Sequence, residues 1–390
     1  MFQGGGYWFL LILVVVVYWN LRPAWRALFL ALVSLVYLIG FDWRSVVWLT
    51  FCAVAFYWLA PRPDTPTRRA RVLLGALLVP VLAFLAVFKY LPPYLPDVDP
   101  RTSKIWALPL GVSYFTFKLI HYAIERRRGN LPPHRFCDFV SYLFLFPIFT
   151  QGPIERFDHY LPNRQKRWHW DDIPEGLTRM VVGLIKRFAL VEEVLPLLLG
   201  PLPPVGQLLD DLSVVSPGHA WRFLILNYLY AYLEFSGYCD IAIGSCRLLG
   251  LRIMENFNFP ILAQNIAEFW QRWHMTLAGW CQAYVYMPML GLTRNPYFAT
   301  YASFLIMGIW HGATLQWLAW GAYHATGVAC FVTWRRRRRL TFVRLPRWVG
   351  YPLTFFFVTI SYGLTCTHPN HSFYESLRIL AKLLAINLPA

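Results

Sequence analysis

A histidine lies inside a long uncharged stretch of this chain. Residues 295 to 334 include no Asp, Glu, Lys or Arg, and His311 stands near the middle in the string MGIWHGATLQW. Imidazole is a base near neutral pH, so it can take the proton of a hydroxyl group that attacks an acyl carbonyl. A lone histidine in an apolar helix is otherwise a structural donor, but an ionisable group within a membrane-type segment is a functional candidate by default. His311 is therefore the first catalytic candidate.

The length of this stretch predicts a break close to His311. Forty uncharged residues would form a helix about 60 Å long, twice the roughly 30 Å of a bilayer core. We expect two spans or one broken span, with His311 and Gly312 near the break. His324 would point to another side of a continuous helix and is interpreted as structural. The five arginines 335 to 339 that follow mark a cytosolic end under the positive-inside rule.

A second histidine lies in a segment rich in tryptophan, AEFWQRWHMTLAGW. Trp270 and His274 are four residues apart, so they share one stripe of a helix, with Trp273 adjacent. Glu268 and Arg272 have the same spacing and predict an ion pair. On composition alone an interfacial anchor is favoured, and a re-entrant element buried in protein is the alternative. His274 is the second catalytic candidate.

Two acidic residues interrupt the next apolar segment upstream, residues 223 to 247. Glu234 and Asp240 must be paired, hydrated or protonated there. Asp240 and Arg247 would be about 10 Å apart along a helix axis. We therefore expect them to need intermediaries or other partners. A structural polar network is favoured over direct contact with substrate.

The composition is that of an integral membrane protein. Hydrophobic residues make up 57% of the chain, aromatic residues 18% and charged residues only 14%. The net charge of +16 comes from basic clusters between apolar runs, which cytosolic loops and anionic lipid headgroups explain. We expect membrane lipid and no nucleic acid as a partner. The seven cysteines form no CxxC pair and predict neither a metal site nor a disulfide framework.

The elements that must position these side chains are apolar helices. Apolar segments lie near residues 7–20, 27–41, 45–60, 72–92 and 105–124. Basic clusters follow the first, third and fifth segments, at Arg22 and Arg26, at Arg62, Arg68, Arg69 and Arg71, and at Arg126 to Arg128. These clusters mark one side as cytosolic and place the amino terminus outside, with residues 7–20 as a retained first helix.

Several polar or proline-rich stretches are predicted as loops. Residues 91–104 read as an extracytoplasmic loop and residues 196–217 as another loop. Residues 156–175 mix basic and aromatic side chains and suit an interfacial segment on the cytosolic face, although an ordinary surface loop fits as well. One more apolar segment follows at 348–366. The segment 372–388 could cross the membrane or lie on it.

Motifs of several other enzyme classes do not occur. The sequence has no Gly-x-Ser-x-Gly, Walker loop, dinucleotide fingerprint or zincin helix. A transporter or export channel with His311 and Asp240 as a relay is a non-enzymatic alternative. The lack of a convincing internal repeat weakens it. A scaffold without catalysis is a third hypothesis, and the presence of both histidines argues against it.

Five stretches together resemble the membrane-bound O-acyltransferase (MBOAT) family. The similarity is to a bacterial branch that acts in alginate O-acetylation and teichoic acid D-alanylation. The stretches are GVSYFTFKLIHYAIERRRG, FPIFTQGPIERF, LEFSGYCDIAIGSCRLLGLRIMENFNFP, EFWQRWHMTLAGW and MGIWHGATLQWLAWGAYHA. They cover most of residues 111 to 325 in the family's order, and their combination is specific.

The resemblance implies an all-α polytopic membrane protein, a helical bundle around a funnel or tunnel with re-entrant or interfacial helices. It implies that the family's essential histidine is His311 and its second histidine is His274. His311 would deprotonate an acceptor hydroxyl, while His274 and Asn256 would orient it or stabilise an oxyanion. Residues expected to line the substrate site or tunnel are Asn256, Trp270, Trp273, Tyr284, Trp310, Tyr238 and Asp240.

The resemblance also implies a donor, partners and a location. The expected donor is acetyl-CoA, and an acyl carrier protein thioester carrying D-alanine or another acyl group is the alternative. An acidic carrier could dock at the basic and aromatic loop 164–170. No bound cofactor or metal is expected, and an extracytoplasmic partner of the SGNH hydrolase type would complete the transfer. The predicted location is a bacterial inner membrane, crossed many times.

We predict one integral membrane domain over residues 1–390. It comprises N-terminal spans (1–104), an MBOAT-like catalytic core (105–334), and an arginine cluster with C-terminal helices (335–390). The sequence departs from many relatives at Trp280 to Tyr284, where Cys281, Gln282 and Ala283 replace an Arg-Asp pair. The acceptor or partner is therefore expected to differ from that of the alginate system.

Overall fold

The structure is a computed structural model, and it is helical. It describes residues 2, 4–92, 95, 108–164, 167–200, 215–337, 346–365, 372–386 and 388. Across these residues the backbone forms helices, turns and loops, with one isolated antiparallel bridge between Arg164 and Leu251. The predicted all-α class is confirmed.

The chain divides into two compact units, which we describe separately. The first comprises Met1–Leu184 and Gly237–Glu255, and the second Ile185–Ser236 and Asn256–Ala390. The first unit contains α1 (Gly5–Asn20), α2 (Pro23–Leu59), α3 (Thr67–Tyr90), α4 (Val112–Arg128), α5 (Phe136–Phe144), α6 (Phe157–Tyr160) and α7 (Asp172–Leu184). A π-helix (Ile185–Val194) and α8 (Leu195–Leu199) begin the second unit, and α9 (Pro217–Leu248) contributes residues to both. The second unit continues with α10 (Ile266–Trp270), α11 (Met275–Cys281), a π-helix (Gln282–Tyr286), α12 (Met287–Thr293), α13 (Pro296–His311), α14 (Leu315–Arg337), α15 (Arg347–Thr365) and α16 (Phe373–Leu383).

Helix α2 reverses direction within its length. Its 37 residues would extend about 55 Å if they were straight. Near the start of α2 the carbonyl oxygen of Ala24 accepts a hydrogen bond from Arg135 Nη2 at 3.1 Å. Near its end the Tyr57 hydroxyl donates to the carbonyl oxygen of His134 at 3.4 Å. Adjacent residues cannot reach both ends of so long a rod, so α2 consists of two arms that fold back on each other.

The reversal lies at Asp42. This residue leaves the helical region, with φ −155° and ψ 86°. Its side chain accepts a hydrogen bond from the backbone nitrogen of Ser45 at 3.2 Å, which is the N-cap interaction that starts a new helix. The two arms correspond to the separate apolar segments predicted at 27–41 and 45–60.

The basic loops of the first unit lie at one end. Arg127 follows the fifth apolar segment, and Arg62 follows the third. The Nη1 atom of Arg127 donates a hydrogen bond to the carbonyl oxygen of Arg62 at 2.8 Å. Arg135 reaches Ala24, after the first segment. These contacts agree with the predicted alternation of basic loops. That this end faces the cytosol stays a prediction.

The long helices of the first unit expose apolar surface. Within the described residues, two helices are long and apolar enough to cross a membrane, Pro23–Leu59 and Thr67–Tyr90, and the turn at Asp42 divides the first of them. Large side chains on them are widely exposed, including Val36 (70%), Trp58 (68%) and Val79 (65%). So much exposed apolar surface fits a lipid environment.

Two glycines set the close approach of α13 and α14. A Cβ atom at Gly308 would collide with the carbonyl oxygen of Trp317, and one at Gly321 would lie 2.5 Å from the carbonyl oxygen of Phe304. Small residues let two helix backbones approach in this way. The crossing holds the end of α13 against the start of α14, where His311 lies.

We expect Gly321→Leu to destabilise this crossing. The added side chain must displace the α13 backbone, so we predict a loss of about 1–3 kcal/mol or more and a lower midpoint of thermal unfolding in detergent. Gly291→Leu is the matched control, because Gly291 has open space around it. Equal midpoints for the two variants would contradict the close crossing.

Some predicted regions fall wholly or partly outside the described residues. These are most of the loop 91–104, residues 105–107 of the segment 105–124, residues 165 and 166 of the segment 156–175, residues 201–214 of the loop 196–217, Arg338 and Arg339, position 366, and position 387 of the segment 372–388. In the predicted C-terminal segment 372–388, α16 has 11 residues. At about 16 Å it is too short to cross a bilayer core of roughly 30 Å.

Candidate active site

His311 lies where the predicted break occurs. Helix α13 ends at His311 and α14 begins at Leu315. The imidazole is half-buried and stacks on the indole of Trp317, with ring centroids 4.6 Å apart and planes at 16°. Trp310 packs edge-on at 4.7 Å. The helix break thus holds the imidazole between aromatic rings.

A small cavity opens beside His311. Its volume is about 80 Å³, and its lining includes Trp270, Trp273, Trp320 and His324. This volume holds several water molecules or a short acyl group. Two of the predicted lining residues, Trp270 and Trp273, therefore share a cavity with His311.

The predicted orientation of His324 needs a correction. A continuous helix would turn His324 away from His311, but the interruption between α13 and α14 brings both to the same cavity. His324 is 1% exposed, and its Nδ1 has no hydrogen-bond partner in the described part of the chain. The assumption of an unbroken helix was wrong.

His274 has a fixed orientation. It precedes α11 with a left-handed backbone, φ 43°, and only 3% of it is exposed. Its Nδ1 lies 3.0 Å from Asn256 Oδ1. The same oxygen accepts from Thr276, from the backbone nitrogen at 3.3 Å and from Oγ1 at 2.8 Å.

These contacts assign the tautomer of His274. A backbone N–H can only donate, so the Asn256 atom that faces Thr276 is the amide oxygen. That oxygen can only accept, and Nδ1 of His274 therefore carries the proton when the ring is neutral. Nε2 then holds a lone pair. It is buried and makes no hydrogen bond to any residue that the structure describes.

Trp310 is a neighbour of both histidines. Its ring centroid lies 6.2 Å from that of His274 and 4.7 Å from that of His311. Tyr284 lies apart from this contact, in the π-helix, and packs on Trp280 at 5.1 Å. The second unit therefore gathers most of the predicted site residues around two imidazoles and one indole.

Tyr238 and Asp240 belong to the first unit. The Tyr238 hydroxyl forms a hydrogen bond with Thr150 Oγ1. Asp240 Oδ1 accepts from Arg179 Nε at 2.5 Å, and Arg179 also binds Glu255. Asp240 is thus part of an ion-pair network, which is the structural alternative favoured from the sequence.

Two further expectations concern the ion pairs of Arg247 and Arg272. Arg247 binds Asp172 at 3.0 Å and Glu175 at 2.5 Å, so it has partners other than Asp240, as expected. The predicted pair of Glu268 and Arg272 is confirmed, with 2.9 Å between Arg272 Nη2 and Glu268 Oε1.

Comparisons with known proteins identify the family. The model of the membrane-bound O-acyltransferase family matches residues 101–367, more than half of the chain. The chain belongs to the MBOAT family. The probable alginate O-acetylase of Pseudomonas aeruginosa is 33% identical over 74% of this chain and 57% of its own length. The teichoic acid D-alanyltransferase of Bacillus subtilis is 28% identical over 67% of this chain and 69% of its own.

A third relative has a different named acceptor. The peptidoglycan O-acetyltransferase of Helicobacter pylori is 26% identical over 87% of this chain and 71% of its own length. The chain spans about half the length of the alginate O-acetylases that it matches. The predicted resemblance to this bacterial branch of the MBOAT family is confirmed.

A larger groove lies on the other side of Trp270 in this MBOAT protein. Its volume is about 570 Å³, and its lining runs from Arg336 at the end of α14 to Ser303, Met307 and Trp270. Trp270 lines both this groove and the cavity of His311. The indole therefore forms a wall between the two spaces.

The inner end of the groove carries two buried polar groups. Trp270 is 8% exposed and Ser303 is 7% exposed. The Trp270 Nε1 and Ser303 Oγ atoms form no hydrogen bond with the residues described. Buried donors of this kind ordinarily have a partner, so a ligand with carbonyl or amide oxygens would fit here.

The sequence interpretation missed several of these residues. Trp317 and Trp320 contact His311, Thr276 hydrogen-bonds Asn256, and Ser303 lines the groove. The six-residue spacing of Trp317 from His311 has no meaning on one helix. It becomes informative only when a helix break is placed between them.

Proposed function

We propose that this protein moves an acyl group, with acetyl favoured, from a cytosolic thioester to a hydroxyl group of an exported polysaccharide or cell-envelope glycan. Membership of the MBOAT family supports acyl transfer. The observation that carries the proposal is the position of His311, in an aromatic cavity that shares the Trp270 indole with the larger groove.

His311 is the proposed general base. It takes the proton of the acceptor hydroxyl as the oxygen attacks the thioester carbonyl carbon. The tetrahedral intermediate then collapses, the carbon–sulfur bond breaks, and the imidazolium returns the proton to the leaving thiolate. The products are an ester and a free thiol. The cavity beside His311 is only about 80 Å³ and lined by aromatic rings, so an acyl group that fills it would displace the water that otherwise competes as the acceptor.

His274 is the proposed second proton acceptor. With Nδ1 bound to Asn256, the neutral ring offers only the lone pair of Nε2. It can accept from an acceptor hydroxyl, but it cannot donate to an oxyanion until it is protonated. Asn256 Oδ1 is already engaged by His274 and Thr276. Its proposed role is therefore to position His274.

The groove is the proposed site for the acyl donor. Arg336 at its outer end suits a phosphate group, and the apolar lining suits an extended arm. Ser303 and Trp270 could hydrogen-bond amide or thioester carbonyl oxygens near the tip. Acetyl-CoA is the favoured donor. An acyl carrier protein thioester has the same arm chemistry and is the alternative.

Trp270 is expected to limit the length of the acyl group. Trp270→Ala removes the wall between groove and cavity, so we predict that the rate with a butanoyl thioester relative to acetyl rises about tenfold, as expected for 1–3 kcal/mol of pocket discrimination. The measurement is initial thiol release from both thioesters. Trp273→Ala is the control, because Trp273 lines the cavity but not the groove. An unchanged ratio in Trp270→Ala would contradict the role.

The proposed location is a bacterial inner membrane, crossed several times, with the donor side in the cytosol. The exposed apolar surface of α2 and α3 supports a membrane location. An extracytoplasmic partner of the SGNH hydrolase type, which would pass the acyl group to the final acceptor, is part of the proposal.

The proposal can be tested on the cell envelope. Cells that lack this protein, and the same cells complemented with wild type or His311→Ala, are compared for base-labile acyl esters on purified surface glycans. We expect the esters to return only with wild type, and mass spectrometry of the released acid identifies the acyl group. Equal restoration by both forms would reject the proposal.

A further inference from the structure

A second cavity lies in the first unit, at the end that carries the basic loops. Its volume is about 690 Å³, within the size range of small-molecule sites. We call it the basic cavity, and define it by its charged lining residues Arg26, Arg135, Arg164 and Asp138. No step of the proposed acyl transfer uses these residues.

The charges in the basic cavity are unbalanced. Its lining has three guanidinium groups and one carboxylate. Asp138 Oδ1 accepts from Arg164 Nη2 at 2.9 Å, and Asp138 Oδ2 accepts from Arg135 Nε at 3.4 Å. One buried carboxylate thus orients two arginines, and positive charge remains in excess.

The guanidinium groups of Arg26 and Arg164 are fixed by their contacts. Arg26 is only 7% exposed. Its Nε donates to the carbonyl oxygen of Leu21 at 3.2 Å, and its guanidinium lies 4.6 Å from the ring centroid of Trp19. The Nη1 atom of Arg164 is buried and has no hydrogen-bond partner within the described ranges. A buried guanidinium donor without a partner calls for an acceptor.

We propose that the basic cavity binds a phosphate ester. Phosphate oxygens accept forked hydrogen bonds from guanidinium groups, and their charge offsets the excess of the lining. The ligand could be the headgroup of an anionic phospholipid or a soluble phosphate ester such as glycerol 3-phosphate. This proposal does not depend on the proposed acyl transfer.

The test is native mass spectrometry of the full chain released from detergent micelles. The probes are dioleoylphosphatidylglycerol and glycerol 3-phosphate, with phosphate-free dioleoylglycerol as the negative probe. We expect wild type to retain a phosphate probe. Arg164→Gln should reduce the retained fraction about tenfold, as expected when a charge-assisted hydrogen bond is lost. Arg127→Gln is the matched control, because Arg127 lies at the same end but outside the cavity lining.

A second variant keeps the proposal testable if Arg164→Gln does not fold. The Arg135 side chain is 56% exposed, so Arg135→Gln removes a cavity charge with little change in packing and should also reduce retention. Retention of phosphatidylglycerol alone assigns the site to a lipid headgroup, and retention of glycerol 3-phosphate alone assigns it to a soluble phosphate ester. No retention of either probe, or equal retention in wild type and both variants, would overturn the proposal.

Discussion

His311→Ala is expected to abolish most acyl transfer while the fold is kept. Loss of a general base costs about a hundredfold to ten-thousandfold in rate. The imidazole is half-buried at a helix end, so its truncation should alter the thermal unfolding midpoint little. The measurement is the rate of thiol release from an acyl thioester in the presence of acceptor.

His324→Gln is the matched control for His311→Ala. His324 lines the same cavity but is almost fully buried, and it has no role in the proposed proton transfer. We expect a rate within a few-fold of wild type for folded protein. A rate for His311→Ala close to that of wild type would exclude the general base role.

The second large effect is expected at Asn256. Asn256→Leu removes the acceptor for His274 Nδ1 and Thr276. Each buried donor left without a partner costs about 1–3 kcal/mol, and the ring of His274 loses its fixed tautomer. We expect a lower unfolding midpoint and a rate reduced by about ten- to a hundredfold, the scale of a lost orienting group.

A double-mutant cycle separates positioning from mere stability. If Asn256 acts through His274, the variant with both Asn256→Leu and His274→Ala should be no slower than His274→Ala alone, because the two effects are not additive for coupled residues. The rates are compared at a temperature where all the variants are folded. Independent, multiplicative losses would show that Asn256 does not act through His274.

Local sequence patterns predicted the elements well. The uncharged run around His311 is too long for one membrane span, so its length predicts the helix break near His311. The sequence also predicts 27–41 and 45–60 as separate apolar segments, and the structure divides helix α2 between them at Asp42. The length and hydropathy of a membrane span are properties of a short segment, so the sequence alone is enough to predict them.

Long-range pairings were harder to predict. Asn256 and His274 are 18 residues apart, and no periodicity links them across the turns that separate them. Arg179 reaches Asp240 from a position 61 residues away. The sequence pattern places His324 on another side of a continuous helix, whereas the break after His311 brings both histidines to the same cavity. Such contacts depend on how helices pack, which the sequence alone does not show.

The most direct test of the account uses purified wild-type protein in liposomes. The protein is incubated with acetyl-CoA or with an acetylated carrier protein. A hydroxyl-bearing glycan acceptor and the proposed extracytoplasmic partner protein are present. Radiolabel transferred to the acceptor is measured beside His311→Ala. We expect wild type to consume a thioester and form a base-labile ester, and the variant to do neither. Inertness of folded wild type with every thioester offered would contradict this expectation.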